Sequence, residues 1–75
     1  MIKIYGKPNC PYCVKAKDLA EVNKVSYEYI DLAQNNDILE EMKQKGHKSV
    51  PIIYKDSGEF IGGYVELYKS IKEFM

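Results

Sequence analysis

A proline set between two cysteines, Cys10-Pro11-Tyr12-Cys13, divides the opening of the chain into two hydrophobic periods. Before it, Met1-Ile2-Lys3-Ile4-Tyr5 alternates apolar and polar side chains among β-formers; after it, Tyr12 to Val22 reads as a helix. Pro11 pins the junction, because its constrained φ suits the first position of a helix and its missing N–H would be unpaired there in any case. Cys10 is then the N-cap. The amides of Tyr12 and Cys13 are expected to point at its sulfur as they would at a capping oxygen, with the positive end of the helix dipole behind them. Cysteines so placed ionise at roughly 3.5 to 7.5 instead of about 8.5, and the thiolate is the species that attacks a disulfide. Cys10 is therefore the expected nucleophile. Cys13, one turn along the same face, is near enough to close a disulfide with it and is the expected resolving thiol.

These are the only two cysteines in 75 residues. A structural or metal-binding pair is the competing assignment, but a closed zinc site takes four ligands and His47 is the one histidine present. The spacing and its place at a strand-to-helix junction favour redox chemistry, and no metal is expected. A lone C-x-x-C pair also suits a reducing compartment, where disulfides are transient. The chain opens on a strand pattern without a charged segment leading into an apolar one, and no apolar run approaches about 18 residues, so a cytoplasmic location with no membrane partner is expected. Eleven Lys and Arg balance eleven Asp and Glu without a basic stripe, which argues against nucleic acid as a partner. At 8.7 kDa there is material for one small core, and residues 1–75 are read as a single domain.

Ile2 to Tyr5 forms the first strand, ended by Gly6, and Lys7-Pro8-Asn9 is the loop that reaches Cys10. Lys7 is either an ordinary solvated lysine or a cation beside the anionic site. In the first helix Tyr12, Cys13, Ala16, Leu19 and Ala20 share the face expected to cover a sheet, while Lys17 and Glu21 are spaced as an i,i+4 pair. Val25 to Ile30 alternates as a second strand, and strand-helix-strand closes almost always as a right-handed parallel unit. The second helix is expected from Asp37, whose spacing to Glu40 is that of a capping box, to Lys45, with Gly46 as its stop and Ile38, Leu39 and Met42 inward. His47 falls in a loop and is read as solvated, since nothing nearby in sequence would orient it as a base. Val50 to Tyr54 and Glu59 to Ile61, joined by Asp56-Ser57-Gly58, form an antiparallel hairpin. After Gly62-Gly63, the stripe Tyr64, Leu67, Tyr68, Ile71 and Phe74 is expected to be core. The order is βαβαββα.

Three motifs stand in this order: Cys10-Pro11-Tyr12-Cys13 after the first strand, Ser49-Val50-Pro51 at the third, and Gly62-Gly63-Tyr64 opening the last helix. Together they resemble the dithiol glutaredoxins, over essentially the whole chain. The resemblance implies the thioredoxin fold, an α/β architecture with a four-stranded mixed sheet and helices on both faces. It implies a cis Pro51 facing the cysteines. It also implies glutathione lying over Cys10 with Tyr12 beside it, the backbone of Val50 pairing with its cysteinyl unit, its γ-glutamyl end at Tyr64, Val65 and Glu66, and its glycyl carboxylate at Lys7. The family usually carries Thr-Asp where this chain has Val65-Glu66, which removes a hydroxyl and lengthens the acid. Glu66 is still expected to pair with the γ-glutamyl amino group.

The function so implied is a glutathione-dependent thiol–disulfide oxidoreductase, acting on protein disulfides through both cysteines and on glutathione mixed disulfides through Cys10 alone. Glutathione is the reductant, no cofactor is tightly bound, and electrons come from NADPH through glutathione reductase. Ribonucleotide reductase is one protein substrate that the resemblance suggests, and the chain is expected to act as a monomer. Two other functions stay open: a glutaredoxin-like redoxin fed by thioredoxin reductase, and a carrier that bridges an iron–sulfur cluster between two copies. Pro11 and Cys13 speak against the carrier.

Overall fold

Alternation along the first strand sorts the apolar residues onto two faces of one sheet. The computed structural model describes residues 1–74; Met75, the last residue of the expected domain, lies outside the described residues. Its elements are β1 (Ile2–Gly6), α1 (Pro11–Val22), β2 (Tyr27–Asp31), α2 (Asn36–Gln44), β3 (Ile52–Lys55), β4 (Phe60–Gly62) and α3 (Tyr64–Ser70), followed by a 3-10 turn, Ile71–Phe74. The sheet runs β2-β1-β3-β4. β1 is parallel to β2, with Ile4 opposite Tyr29, and antiparallel to β3, with Ile4 opposite Ile53. β3 and β4 form the antiparallel hairpin.

Because side chains alternate across a strand, Ile2, Ile4 and Ile53 enter a core with Ala16 and Ala20 of α1 and Leu67 of α3. Ile52 enters a second, smaller core with Leu32 and Met42, edged by Tyr5, Ile38 and Leu39, beneath α2. The helices therefore lie on both faces. Among the described residues no helix is long and apolar enough to cross a membrane.

The helix ends show why sequence boundaries shift by a residue or two. α2 stops as expected: Gly46, at φ +89°, lets its own amide reach Lys43 O and that of His47 reach Met42 O, a Schellman turn. α1 ends in the same way without a glycine. Lys24 takes φ +57°, its amide reaching Glu21 O and that of Val25 reaching Ala20 O at 2.8 Å. This turn delays the second strand, which begins at Tyr27 and not at Val25. α2 begins at Asn36, and the capping box expected from Asp37 and Glu40 does not form. Its N-cap, Asn35, makes no side-chain cap and turns its amide back to Asp31 O at 2.8 Å, while Glu40 faces Lys43.

Other expectations are corrected by what each side chain finds. Tyr12 and Tyr68 are 54% and 61% exposed and do not belong to the core. Lys17 and Glu21 do not pair: the Lys17 ammonium sits 4.3 Å from the Tyr29 ring centre, and Glu21 accepts from the Tyr27 hydroxyl at 2.8 Å. His47 is half-buried, not solvated; its Nε2 lies 2.9 Å from the Tyr54 hydroxyl and its ring packs on Phe60. Val50 and Pro51 precede β3, which starts at Ile52, and β4 runs from Phe60 to Gly62.

The two helix stops differ in a measurable way. A non-glycine residue in the left-handed region costs roughly 1–2 kcal/mol, partly offset by glycine's greater freedom when unfolded. Lys24→Gly is expected to raise stability by about 0.5 kcal/mol and Gly46→Ala to lower it by about 1 kcal/mol. Urea unfolding midpoints check both signs.

Candidate active site

The loop into the site makes a sharp left-handed step at Asn9, φ +60°, a conformation asparagine tolerates better than most residues. Cys10 then takes extended backbone angles as the N-cap of α1, with Pro11 at the first helical position. Of the two amides expected to converge on the Cys10 sulfur, one does so: Cys13 N–H donates to it at 3.2 Å. On its other side the Cys10 thiol points to the carbonyl of Val50, at 3.9 Å. The Val50–Pro51 peptide is cis.

The two sulfurs occupy different surroundings. Both are free thiols, Cys10 retaining 8% exposure and Cys13 none. Burial, with a hydrogen bond to Cys10 adding to it, pushes the Cys13 thiol up to about 11. A charge buried in an apolar layer loses its hydration, so the neutral form is favoured there. Cys13 meets Gly6 beside the end of Tyr29, since a Cβ at Gly6 would touch both the Cys13 sulfur and the Tyr29 hydroxyl. Gly6 is what makes room: a Cβ at that position would run into the Tyr29 hydroxyl and lie 2.9 Å from Cys13 Sγ.

Two depressions share Val50, whose carbonyl faces the Cys10 thiol, as a wall. One, of about 200 Å³, is lined by Tyr12, Val50, Pro51, Tyr64, Val65 and Glu66, so six of the expected glutathione contacts come together. Tyr12 and Tyr64 hold its mouth with ring centres 5.9 Å apart. Lys7, the seventh, stands across Val50 in a larger cleft of about 370 Å³ with an apolar floor that includes Leu32, Met42 and Ile52. Glu66 is already engaged: its Oε1 accepts from the Gly63 amide at 2.7 Å at the start of α3. Glycine has no side chain to reciprocate, so this is half a capping box. Gly62, at φ +135°, lets the Glu66 side chain pack against bare backbone.

Among the described residues no group of three or more His, Cys, Asp and Glu side chains is placed to hold a metal ion. A reactive sulfur at a helix start with a second thiol buried one turn behind it is a dithiol centre, suited to exchange with disulfides.

Known proteins place the chain more narrowly. The family model described as Glutaredoxin matches residues 2–61. Glutaredoxin 1 of Escherichia coli strain K12 is 38% identical over 78 aligned positions, covering 93% of this chain and 91% of that one. Glutaredoxin 3 of the same strain is 40% identical over 68 positions, covering 89% and 81%. The crystal structure of glutaredoxin 1 from Francisella tularensis complexed with cacodylate superposes with a TM-score of 0.73 at 36% identity, over 96% of this chain and 92% of that one. The chain belongs to the glutaredoxin family, and it is a thiol–disulfide oxidoreductase of thioredoxin fold.

Tyr29 is the site residue that sequence reasoning missed. It reads as one more strand aromatic, yet alternation puts it on the same face as α1, where a tyrosine hydroxyl needs a polar partner. Gly6, at the end of the neighbouring strand, was the second signal.

Cys13 carries a pH signature. In Cys10→Ser, the alkylation rate of Cys13 is expected to climb well above pH 9, in contrast to an ordinary thiol with its midpoint at about 8.5. Since its ionisation is raised in the folded chain, folded-state stability from this group is fully present below the ordinary thiol value of about 8.5 and is lost as pH rises toward about 11. Gly6→Ala is expected to cost about 1–3 kcal/mol by overpacking, read by urea unfolding.

Proposed function

We propose that the protein is a glutathione-dependent reductase. In this reading Cys10 alone opens mixed disulfides of glutathione, and Cys10 with Cys13 reduces protein disulfides. The observation that carries it is the depression lined by Tyr12, Val50, Pro51, Tyr64, Val65 and Glu66, with Lys7 in the cleft that shares Val50. Glutathione is a short, extended tripeptide with a carboxylate at each end, and a run of contacts on both sides of one sulfur suits it. The main chain at Val50 offers pairing groups for its central unit, and the Lys7 ammonium offers charge for its glycyl carboxylate.

The chemistry follows from the two sulfurs. Cys10 thiolate attacks a substrate disulfide; one substrate sulfur leaves with the electron pair and takes a proton from solvent, and a mixed disulfide remains on Cys10. With a glutathione mixed disulfide, the protein thiol leaves and free glutathione then removes the glutathione held on Cys10. With a protein disulfide, Cys13 displaces the substrate and the Cys10–Cys13 disulfide forms. Glutathione restores the dithiol and is itself kept reduced by NADPH through glutathione reductase. No tightly bound cofactor takes part. The substrates are protein disulfides and glutathionylated proteins, with ribonucleotide reductase suggested by family resemblance. The setting is the cytoplasm, with one domain acting as a monomer.

One observation favours a second reading, in which thioredoxin reductase supplies the electrons. Val65 has no hydroxyl to offer a ligand, and a Glu66 oxygen is held by the Gly63 amide, so the γ-glutamyl end meets a poorer set of donors and acceptors. Turnover of one disulfide substrate with glutathione and glutathione reductase, set against turnover with thioredoxin reductase alone, separates the two.

Cys10→Ser is expected to abolish both activities, whereas Cys13→Ser spares reduction of glutathione mixed disulfides; loss of both in Cys13→Ser would remove the assignment of roles. Glu66 is expected to act through its charge. Glu66→Gln keeps an acceptor for Gly63 N–H, so it should raise the KM for glutathione several-fold with little change in kcat or thermal midpoint, an ion pair at an exposed position being worth about 0.2–1 kcal/mol. Glu66→Ala should add a loss of stability of about 0.5–1 kcal/mol from the vacated helix start.

A further inference from the structure

We propose that the Tyr29 hydroxyl serves the resolving thiol: it donates a hydrogen bond to the Cys13 sulfur as that sulfur gains negative charge, and so sets the pH at which the dithiol reaction proceeds. This rests on the dithiol chemistry proposed above and adds a third side chain to it.

The geometry comes from three elements. Tyr29 lies on β2 opposite Ile4, and its side chain runs beneath α1 toward the end of β1. There β1 ends in Gly6, and the space that a Cβ would fill is taken by the Tyr29 hydroxyl on one side and Cys13 Sγ on the other. The ring packs against the core, with the Lys17 ammonium 4.3 Å from its centre. Cys13 has no solvent exposure, so water does not supply the donor that its thiolate would need. The Lys7 main-chain amide and the Tyr29 hydroxyl both favour its charged form, opposed by burial and by Cys10. Tyr29 itself keeps its proton: burial, with the charges of Cys13, Asp31 and Cys10, pushes it up to about 12.

The step balances without Tyr29 changing state. In the mixed disulfide between Cys10 and a substrate thiol, Cys13 releases its proton to solvent and its sulfur attacks Cys10 Sγ. The Cys10–Cys13 bond forms, the bond from Cys10 to the substrate sulfur breaks, and the electron pair leaves on that sulfur, which takes a proton from solvent. Two electrons pass from the dithiol to the substrate disulfide over the whole cycle. The Tyr29 O–H bond stays intact and stabilises the attacking sulfur before and during the displacement.

Tyr29→Phe removes the donor and keeps the ring. The measurement is single-turnover release of glutathione from the Cys10 mixed disulfide across pH. A lost hydrogen bond to a charged group raises the pH midpoint by about one to two units, and because the less stabilised thiolate is also the stronger nucleophile, release at neutral pH is slower by about three- to fifteenfold. A rate within about twofold and an unmoved midpoint would overturn the proposal. In a Cys13→Ser background the same substitution should change reduction of glutathione mixed disulfides by less than about twofold; an equal loss there would make Tyr29 a general support and also overturn it. The pH dependence of Cys13 alkylation in Cys10→Ser, followed by mass and compared with and without Tyr29→Phe, reads the contact without turnover. It decides the assignment whichever reductant feeds the enzyme: a Cys13 midpoint raised by the substitution supports it, and coincident curves reject it.

Discussion

The close seating of α1 on β1 governs the cysteine site. Cys13, Ala16 and Ala20 are without solvent exposure, and all three are small. Side chains of this size let the helix approach Ile2 and Ile4 more nearly than leucines would, and interiors packed to crystal-like density leave little slack for a larger group. Once α1 is drawn in, the Cys13 sulfur has nowhere to go except against Gly6 and Tyr29, while Cys10, one turn earlier, reaches the rim. Pro11 and the left-handed Asn9 fix the turn at which this happens.

From that seating comes the division of labour between two chemically identical side chains. The first sulfur borrows an amide from the second residue's backbone and faces a carbonyl across a gap. The second lies in an apolar layer that resists its ionisation. A disulfide exchange centre needs this inequality. If both sulfurs reached the surface, the second would compete with the first for substrate; if neither did, no substrate would be met.

Most of this was legible in sequence because it rests on local rules. Period-two alternation marked the first two strands, proline and turn chemistry the last two, and helical spacing the three helices, while the C-P-Y-C junction set the N-cap. What was not legible depends on partners distant in the chain. Asn35 gives its side chain to Asp31 in place of capping its own helix. Tyr68 satisfies the helical stripe by spacing but turns to solvent beside Tyr64. Lys17 prefers an aromatic face on another element to the acid one turn away. Tyr29 belongs to the site only because β2 lies next to β1 in the register that sets it beside Ile4 and Gly6. No window of sequence contains that adjacency.

Where Cys10 meets it, the wall shared by the two depressions is main chain. Val50 meets Cys10 through its carbonyl, so replacing the valine side chain leaves that oxygen in place. The groups at either end, Tyr64, Val65 and Glu66 on one side and Lys7 on the other, are side chains on separate elements. The centre of such a groove is resistant to drift while its ends are free to vary, so ligand preference is open to change by steps that leave the exchange of sulfur for sulfur untouched.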